Sequence, residues 1–239
     1  MATLIDKYGT FPFDWKFFNE LFSFGFKQGL NSLIYFKEIS NLVQSSFLSV
    51  NEIESITIQP SEPLVSDLPK TLLFLELKEP ISLLPESGLF GYFEFPISIS
   101  LVIHTNKKSI PLDLFNFSSI KFALYGNPHN GNVCRFWKTN FYHNHFTPSL
   151  FKTGLLEIEI QNTSNSLLKL NKLILDFSYI QIFYNETIAK ARAKVKIQSE
   201  SYCETEFITP TLTQGFQQSL DLIPTKILSS SKFIMLNGI

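Results

Sequence analysis

The sequence predicts an all-β protein, most simply an antiparallel β-sandwich with few or no helices. Apolar and polar residues alternate with a period of two along most of the 239-residue chain, as they do in strands that bury one face. Turn-forming residues separate these runs at short intervals, which is typical of sandwiches and barrels. The chain also holds 25 Phe and only 10 Gly, and a Phe-rich composition favours sheet. One domain over residues 1–239 is the simplest organisation, and two stacked β-domains divided near residues 105–150 are the alternative.

The individual strands follow from this alternation. Clear examples are TLLFLEL (71–77), LLEIEIQ (155–161) and LILDFSY (173–179). Pro96 interrupts another apolar run, GYFEFPISISLVIH, and predicts an edge or a bulge there because proline has no N–H to donate. Two segments have some helical character: residues 13–26, whose phenylalanines favour a strand equally, and residues 212–223.

Net charge and cysteine content limit the possible functions and the expected cellular compartment. The formal net charge is −1, which argues against a nucleic-acid binder because that function needs a basic surface. Cys134 and Cys203 are too few for a disulfide framework, so a reducing compartment is expected. The first residues hold charges and a proline where a signal peptide needs an apolar stretch, and no run of about 18 apolar residues exists to form a transmembrane segment. We therefore expect a soluble cytoplasmic protein.

Residues 124–145, LYGNPHNGNVCRFWKTNFYHNH, combine a turn sequence with a concentration of chemically versatile side chains. The segment predicts a β-hairpin in which Asn130 and Gly131 at the tip supply the positive φ angles of a tight turn. In the return strand, Arg135 and Trp137 share one face and Cys134 lies on the other. Cys134 and Arg135 are therefore not expected to serve one ligand together.

The face of Arg135 and Trp137 is a candidate ligand site. Asp113, Lys121 and Tyr125 lie on or near neighbouring strands, and if they converge with Arg135 on a concave pocket they would bind a small anionic ligand. The alternative is structural: Asp113 accepts backbone hydrogen bonds at a strand turn, and Arg135 and Trp137 pack under the next strand.

A metal site is the second candidate in this region. Cys134, His143 and His145 have the soft sulfur and nitrogen ligands that zinc prefers, and the two histidines point the same way on a strand. Their spacing matches no established zinc motif, however, and the alternative is two solvent-facing histidines beside a buried thiol. A nucleophilic Cys134 would need one of these histidines as its activating base. We therefore expect no cofactor, with zinc as the alternative.

The segment AKARAKVKI (189–197) places four cations on one strand face. This cationic stripe consists of Lys190, Arg192, Lys194 and Lys196. Such a row could bind an anionic polymer, a lipid headgroup or an acidic partner. The interpretation we favour is a solvated edge strand whose positive charges prevent edge-to-edge association.

The usual enzyme signatures are missing from the chain. It contains no Gly-rich phosphate loop, no G-x-S-x-G and no H-E-x-x-H. The function we expect is therefore a non-catalytic binding or scaffold module that contacts a protein partner through a sheet face or an edge strand, with self-association left open. The alternative is an enzyme or a metal- or ligand-binding protein with its site around Cys134, Arg135, Trp137, His143 and His145.

Two segments carry a resemblance to a known family. They are LKEPISLLPESGLFGYFEFPISISLVI (77–103) and LDLFNFSSIKFALYGNPHNGNVCRFWKTNFY (112–142). The features that carry it are Glu79-Pro80, Pro96-Ile97, Asp113-Leu114-Phe115, Lys121 to Gly126 and Arg135-Phe136-Trp137. With these features the chain resembles a largely archaeal family of uncharacterised proteins, catalogued as domain of unknown function 432, over about residues 60–207. The resemblance implies a cytoplasmic, archaeal-type protein with no assigned reaction, and the family pattern omits His129, His143 and His145.

Overall fold

The computed structural model describes residues 2–30, 32–39, 42–50, 52–64, 71–210, 214–222 and 232–239. The described chain is made of strands and turns, and its helical structure is limited to a single 3-10 turn at Phe177–Tyr179. No helix in these residues is long and apolar enough to cross a membrane. The predicted all-β fold is confirmed.

The strands, in chain order, are β1 (Thr3–Leu4), β2 (Gly9–Pro12), β3 (Lys16–Phe18), β4 (Ser23–Gln28), β5 (Leu33–Ile39), β6 (Leu42–Leu48), β7 (Ser55–Ser61), β8 (Leu72–Leu83), β9 (Ser87–Pro96), β10 (Ser98–His104), β11 (Ser109–Phe115), β12 (Phe122–Tyr125), β13 (Asn132–Thr139), β14 (Phe141–Tyr142), β15 (Thr153–Asn162), β16 (Leu168–Asp176), β17 (Phe183–Tyr184), β18 (Ala189–Ser199), β19 (Tyr202–Ile208), β20 (Gln217–Gln218) and β21 (Lys232–Met235).

The chain divides into two compact units. Unit 1 comprises Met1–Gln59 and Ile99–Phe117, and unit 2 comprises Pro60–Ser98 and Ser118–Ile239. Each unit is therefore assembled from two separate stretches of the chain. Whether the chain folds as one domain or as two stays a prediction.

Unit 1 contains two sheets and an aromatic core. One sheet has the order β1-β3-β4-β5-β6 and the other has the order β11-β10-β7-β2. Residues 13–26 lie in and around β3 and β4, which pair antiparallel, so the helical alternative for this segment is wrong. Phe17 and Phe24 are buried and stack with 5.1 Å between their ring centroids, because alternate residues of both strands point into the core.

Unit 2 contains a four-stranded sheet and an eight-stranded sheet. The first has the order β12-β13-β8-β16, and the second has the order β14-β9-β15-β18-β17-β20, with β19 joined to β18 and β21 joined to β19. The sheets contact each other through β13 with β9 and through β16 with β19 and β21. Most neighbouring strands are antiparallel, as predicted, but β13–β8 and β15–β18 are parallel. A parallel pair needs a crossover connection. The chain makes the crossover from β15 to β18 through β16, which belongs to the four-stranded sheet.

The core of unit 2 follows the alternation of the sequence. Leu73 and Leu75 are buried along β8, and Ile158 and Ile160 are buried along β15. Glu159, which lies between the two isoleucines, is partly exposed. The period of two therefore identifies the buried face of each of these strands.

Two details differ from the predicted elements. The run through Pro96 is two strands, since β9 ends at Pro96 and β10 begins at Ser98. Residues 214–222 are the described part of the second helical candidate, and they contain the short strand β20 and no helix. Residues 212, 213 and 223 lie outside the described residues.

Candidate functional site

The hairpin predicted within residues 124–145 is present in unit 2. β12 and β13 pair antiparallel, with Tyr125 opposite Asn132 and Phe122 opposite Arg135. β12 is the outermost strand of the four-stranded sheet, and β13 separates it from β8. The hairpin is thus confirmed, and it lies at the edge of a sheet.

The loop at the hairpin tip differs from the predicted tight turn. The positive φ angle lies at Gly126 (φ 106°), so the prediction that Asn130 and Gly131 would supply it is wrong. Asn127 organises the loop, because its Oδ1 accepts hydrogen bonds from the backbone N–H groups of His129 and Asn130, at 3.0 Å each. Gly131 is needed for a different reason: a Cβ atom there would lie 2.6 Å from the carbonyl oxygen of Asn127.

Arg135 lies in the interior of unit 2. Its side chain is fully buried, and Nη2 donates a hydrogen bond of 2.7 Å to Ser118 Oγ. Burial lowers the pKa of Arg135 to about 10, so the guanidinium stays charged at neutral pH. Trp137 is partly exposed, and its buried Nε1 has no hydrogen-bond acceptor among the described residues. Cys134 is buried as well, so the middle of β13 is covered on both faces.

The other three residues of the predicted ligand site hold separate positions. Asp113 belongs to β11 of unit 1, where it accepts a hydrogen bond of 2.8 Å from Lys37 Nζ. Lys121 is exposed just before β12. Tyr125 is buried, its Oη accepts a backbone hydrogen bond of 2.9 Å from the C-terminal segment, and burial raises its pKa. Because Tyr125 and Arg135 lie on opposite faces of the hairpin, they do not line one pocket.

The three predicted metal ligands are not gathered at one place. Cys134 is buried in β13, and its Sγ donates to a backbone carbonyl of its own strand at 3.4 Å. His143 and His145 are exposed and follow β14 of the other sheet, where their rings contact Phe141 and Tyr92 edge-on at 4.9 and 5.8 Å. The described residues include no group of three or more His, Cys, Asp or Glu side chains that could hold a metal ion.

The cationic stripe lies on an interior strand. β18 pairs with β15 on one side and with β19 on the other, so the predicted edge strand is wrong. The ion pairs with β15 are Lys190–Glu157 at 4.0 Å, Arg192–Glu159 at 3.8 Å and Lys194–Glu159 at 3.7 Å. The alternation of AKARAKVKI predicts one polar face of this strand. It does not predict which charged side chains of the neighbouring strands lie beside that face.

A second acidic column lies on the far side of the stripe. Glu204 and Glu206 of β19 are opposite Lys196 and Lys194 in the register, and Lys232 of β21 pairs with Glu204 at 3.2 Å. The sign of the charge therefore alternates from strand to strand across β15, β18, β19 and β21. We name this surface of β15, β18, β19 and β21 the charged face. Its cations are balanced locally by glutamates.

A surface that the sequence patterns did not indicate lies on the outer part of the hairpin. Phe122 and Leu124 of β12 are 50% and 44% exposed, and Val133 of β13 is 39% exposed. Leu124 is directly opposite Val133, and the three side chains share one face of the hairpin. We name these three residues the apolar edge. Large apolar side chains that are exposed together are typical of protein-interaction surfaces.

The backbone of β12 is open on its outer side. The N–H of Phe136 donates to the carbonyl of Lys121 at 2.8 Å, which makes these two residues a hydrogen-bonded pair. Because bonded and non-bonded pairs alternate along an antiparallel ladder, Ala123 bonds to β13, whereas Phe122 and Leu124 direct their N–H and C=O groups away from it. No strand of the described chain pairs with that outer side.

A family model described as "Protein of unknown function (DUF432)" matches residues 7–236, a range that spans the hairpin and most of both units. The chain belongs to the DUF432 family. The match confirms the resemblance and extends it beyond the residues 60–207 on which it was based. No curated protein and no solved structure gives a significant match to the chain.

The hairpin of this DUF432 protein has the two features that an added strand requires. The outward N–H and C=O groups of β12 supply main-chain hydrogen bonds, and the exposed side chains of Phe122 and Leu124 supply apolar contacts. Edge strands in natural proteins are commonly protected by charge or by proline, and the sequence of β12, FALY, contains neither. The described residues therefore leave the outer edge of β12 without a paired strand.

Proposed function

We propose that this DUF432 protein is a non-catalytic binding module in which the outer edge of β12 takes up an extended segment of a partner protein. One observation carries the proposal. Phe122 and Leu124 expose both their apolar side chains and their outward-directed backbone groups on the same short strand. The added strand would pair with β12 and pack its own apolar residues, spaced two apart, against the apolar edge.

The proposed partner segment is short, extended and apolar at alternate positions, with an acidic residue beside the exposed Lys121. Burying the half-exposed side chains of Phe122 and Leu124 stabilises the complex by about 1 kcal/mol each, and each main-chain hydrogen bond contributes about 1 kcal/mol. Association itself has a cost in translational and rotational freedom. We therefore expect reversible binding in the micromolar range or weaker.

The proposed function needs no metal, cofactor or nucleic acid. It includes a cytoplasmic location, supported by the buried cysteines Cys134 and Cys203, which form no disulfide, since reduced thiols are typical of a reducing compartment. An archaeal source, implied by the family resemblance, stays a prediction. Self-association is the special case in which a second copy of the chain provides the added strand.

Selection of displayed random peptides against the whole chain tests the proposal. The wild-type protein is expected to enrich peptides with apolar residues at alternate positions. Leu124→Lys should lower their affinity by about ten-fold or more. The change removes an apolar contact, and the lysine ammonium would have to give up its bound water when the peptide covers it.

Leu167→Lys is the matched control for this experiment. It makes the same change at a residue that is 55% exposed in the turn between β15 and β16, and it should leave the affinity unchanged. Selected peptides without the alternation, or equal losses in Leu124→Lys and Leu167→Lys, would contradict the proposal.

A further inference from the structure

A cleft opens in unit 2 where β8 leaves the regular ladder of the four-stranded sheet. The register between β16 and β8 shifts at this point, so that residues 77–80 of β8 lie opposite Asn171 alone and bulge from the sheet. On the other side of the opening, the chain passes from β13 to β14 at Asn140 and thereby changes sheet. The cleft between these two irregular segments has a volume of about 660 Å³.

The floor of the cleft is apolar and closely packed. Ile81, Leu89 and Phe141 line it. The ring of Phe141 lies against Gly91, where a Cβ atom would be 2.2 Å from the ring, and it meets the ring of Phe93 edge-on at 5.6 Å. The volume of the cleft falls within the range of small-molecule sites, which is about 300 to 1,000 Å³.

The rim of the cleft is polar and carries one fixed charge. Glu79, Ser82 and His143 lie at the mouth and are exposed, and Asn140 Nδ2 donates a hydrogen bond of 3.3 Å to Tyr142 Oη. Among the lining residues in the described chain, Glu79 is the only acidic one, and none is Lys or Arg. The charge of the lining residues therefore favours a cationic ligand over an anionic one.

We propose that this cleft binds a small organic cation that consists of an ammonium group on an apolar body. The apolar body would occupy the floor between Ile81 and Leu89, and the ammonium would lie at the rim beside Glu79. The aromatic ring of Phe141, which lines the cleft, adds attraction for a cation. This site is independent of the proposed peptide-binding edge, because the two share no residue.

Three probes with the same apolar body test the charge preference. Phenylbutylammonium, phenylbutanol and phenylbutyrate are titrated separately into the isotope-labelled whole protein while the backbone amide chemical shifts are followed. The ammonium should bind in the millimolar range expected of a fragment, with shifts at residues 79, 81, 82, 89 and 140–143. The alcohol should bind less tightly and the carboxylate least. Equal binding of ammonium and carboxylate, shifts confined to other residues, or no binding of the ammonium would overturn the proposal.

Two variants, each with a control, locate the interaction. Glu79→Gln should weaken ammonium binding by roughly two- to five-fold, because the lost ion pair is exposed to solvent, while Glu200→Gln, at an exposed glutamate outside the cleft, should not. Ser82→Trp should block all three probes by filling the mouth, whereas Leu84→Trp, at a turn residue that is 65% exposed, should block none. Full binding to Ser82→Trp, or equal effects of the two Glu→Gln changes, would overturn the proposal.

Discussion

The charged face and the apolar edge belong to the same unit, but their neighbouring strands differ in what they supply. On the charged face, the cations of β18 are flanked by glutamates on both sides, so that Lys194 lies 3.7 Å from Glu159. At the apolar edge, β13 covers one side of β12, and no strand of the described chain covers the other. The comparison indicates that the neighbouring strands decide whether the side chains of a strand are satisfied within the fold, and the proposed binding edge lies where they are not.

The largest expected effect concerns the buried part of the hairpin, where Arg135 lies opposite Phe122 and on the same face as the apolar edge. Arg135→Ala removes a fully buried side chain and its hydrogen bond to Ser118, and it should lower the free energy of unfolding by about 3 kcal/mol or more. Lys121→Ala, at an exposed residue, should lower it by less than about 0.5 kcal/mol. Urea denaturation measures both variants. Equally small losses would mean that Arg135 does not support the hairpin.

The second effect concerns the inner side of the charged face and depends on pH. Burial, reinforced by the carboxylate of Glu204, raises the pKa of the Cys203 thiol from 9.0 to about 12. The thiol ionises more readily in the unfolded chain than in the folded protein. Its contribution to the free energy of unfolding is therefore fully present below about pH 9 and is lost as the pH rises toward about 12. The unfolding free energy should fall by up to about 1.4 kcal/mol per pH unit from this group. Cys203→Ala should decline less steeply, and equal slopes for the two proteins would contradict the assignment.

The third effect tests whether the charged face depends on local charge balance. Lys194→Glu places a carboxylate between Glu159 and Glu206, and it should lower the free energy of unfolding by about 1 kcal/mol at low salt. Adding Glu159→Lys should restore part of this loss, since opposite charges then face each other again. Denaturation of the single and double variants at low and high salt measures the coupling. A loss that depends on neither salt nor the second change would point to packing as its cause.

The smallest effect on stability is expected at the apolar edge itself. Leu124→Ser should change the free energy of unfolding by less than about 0.5 kcal/mol, because the side chain is already 44% exposed, although it should weaken binding of selected peptides. The same denaturation experiment measures this variant. A loss of more than about 1 kcal/mol would indicate that Leu124 packs within the fold instead of contacting a partner.

The strands could be predicted because alternation is a local property of the chain. Leu73, Leu75 and Ile158 are buried, on the strand faces that the period of two assigns to the core. The hairpin was predictable from its turn residues for the same reason. Its tip was not, because the loop depends on the positive φ angle of Gly126 and on the hydrogen bonds that Asn127 accepts, not on Asn130 and Gly131.

The neighbours of each strand could not be predicted, because strand pairing joins segments that are distant in the sequence. AKARAKVKI contains no indication that β15 and β19 bring glutamates to both of its sides. KFALYG likewise does not indicate which face is buried, since Leu124 on one face and Tyr125 on the other are both largely apolar. The candidate site was therefore predictable as a hairpin, but Phe122 and Leu124 were not predicted as its exposed apolar residues.

Hydrogen exchange of the backbone amides of β12 tests the central claim most directly. In the free protein, the amides of Phe122 and Leu124 should exchange quickly because they point away from β13, while the amide of Ala123 should be protected. Binding of a selected peptide should slow exchange at Phe122 and Leu124 and leave Ala123 unchanged. Protection of all three amides in the free protein, or no change at Phe122 and Leu124 on binding, would contradict the account.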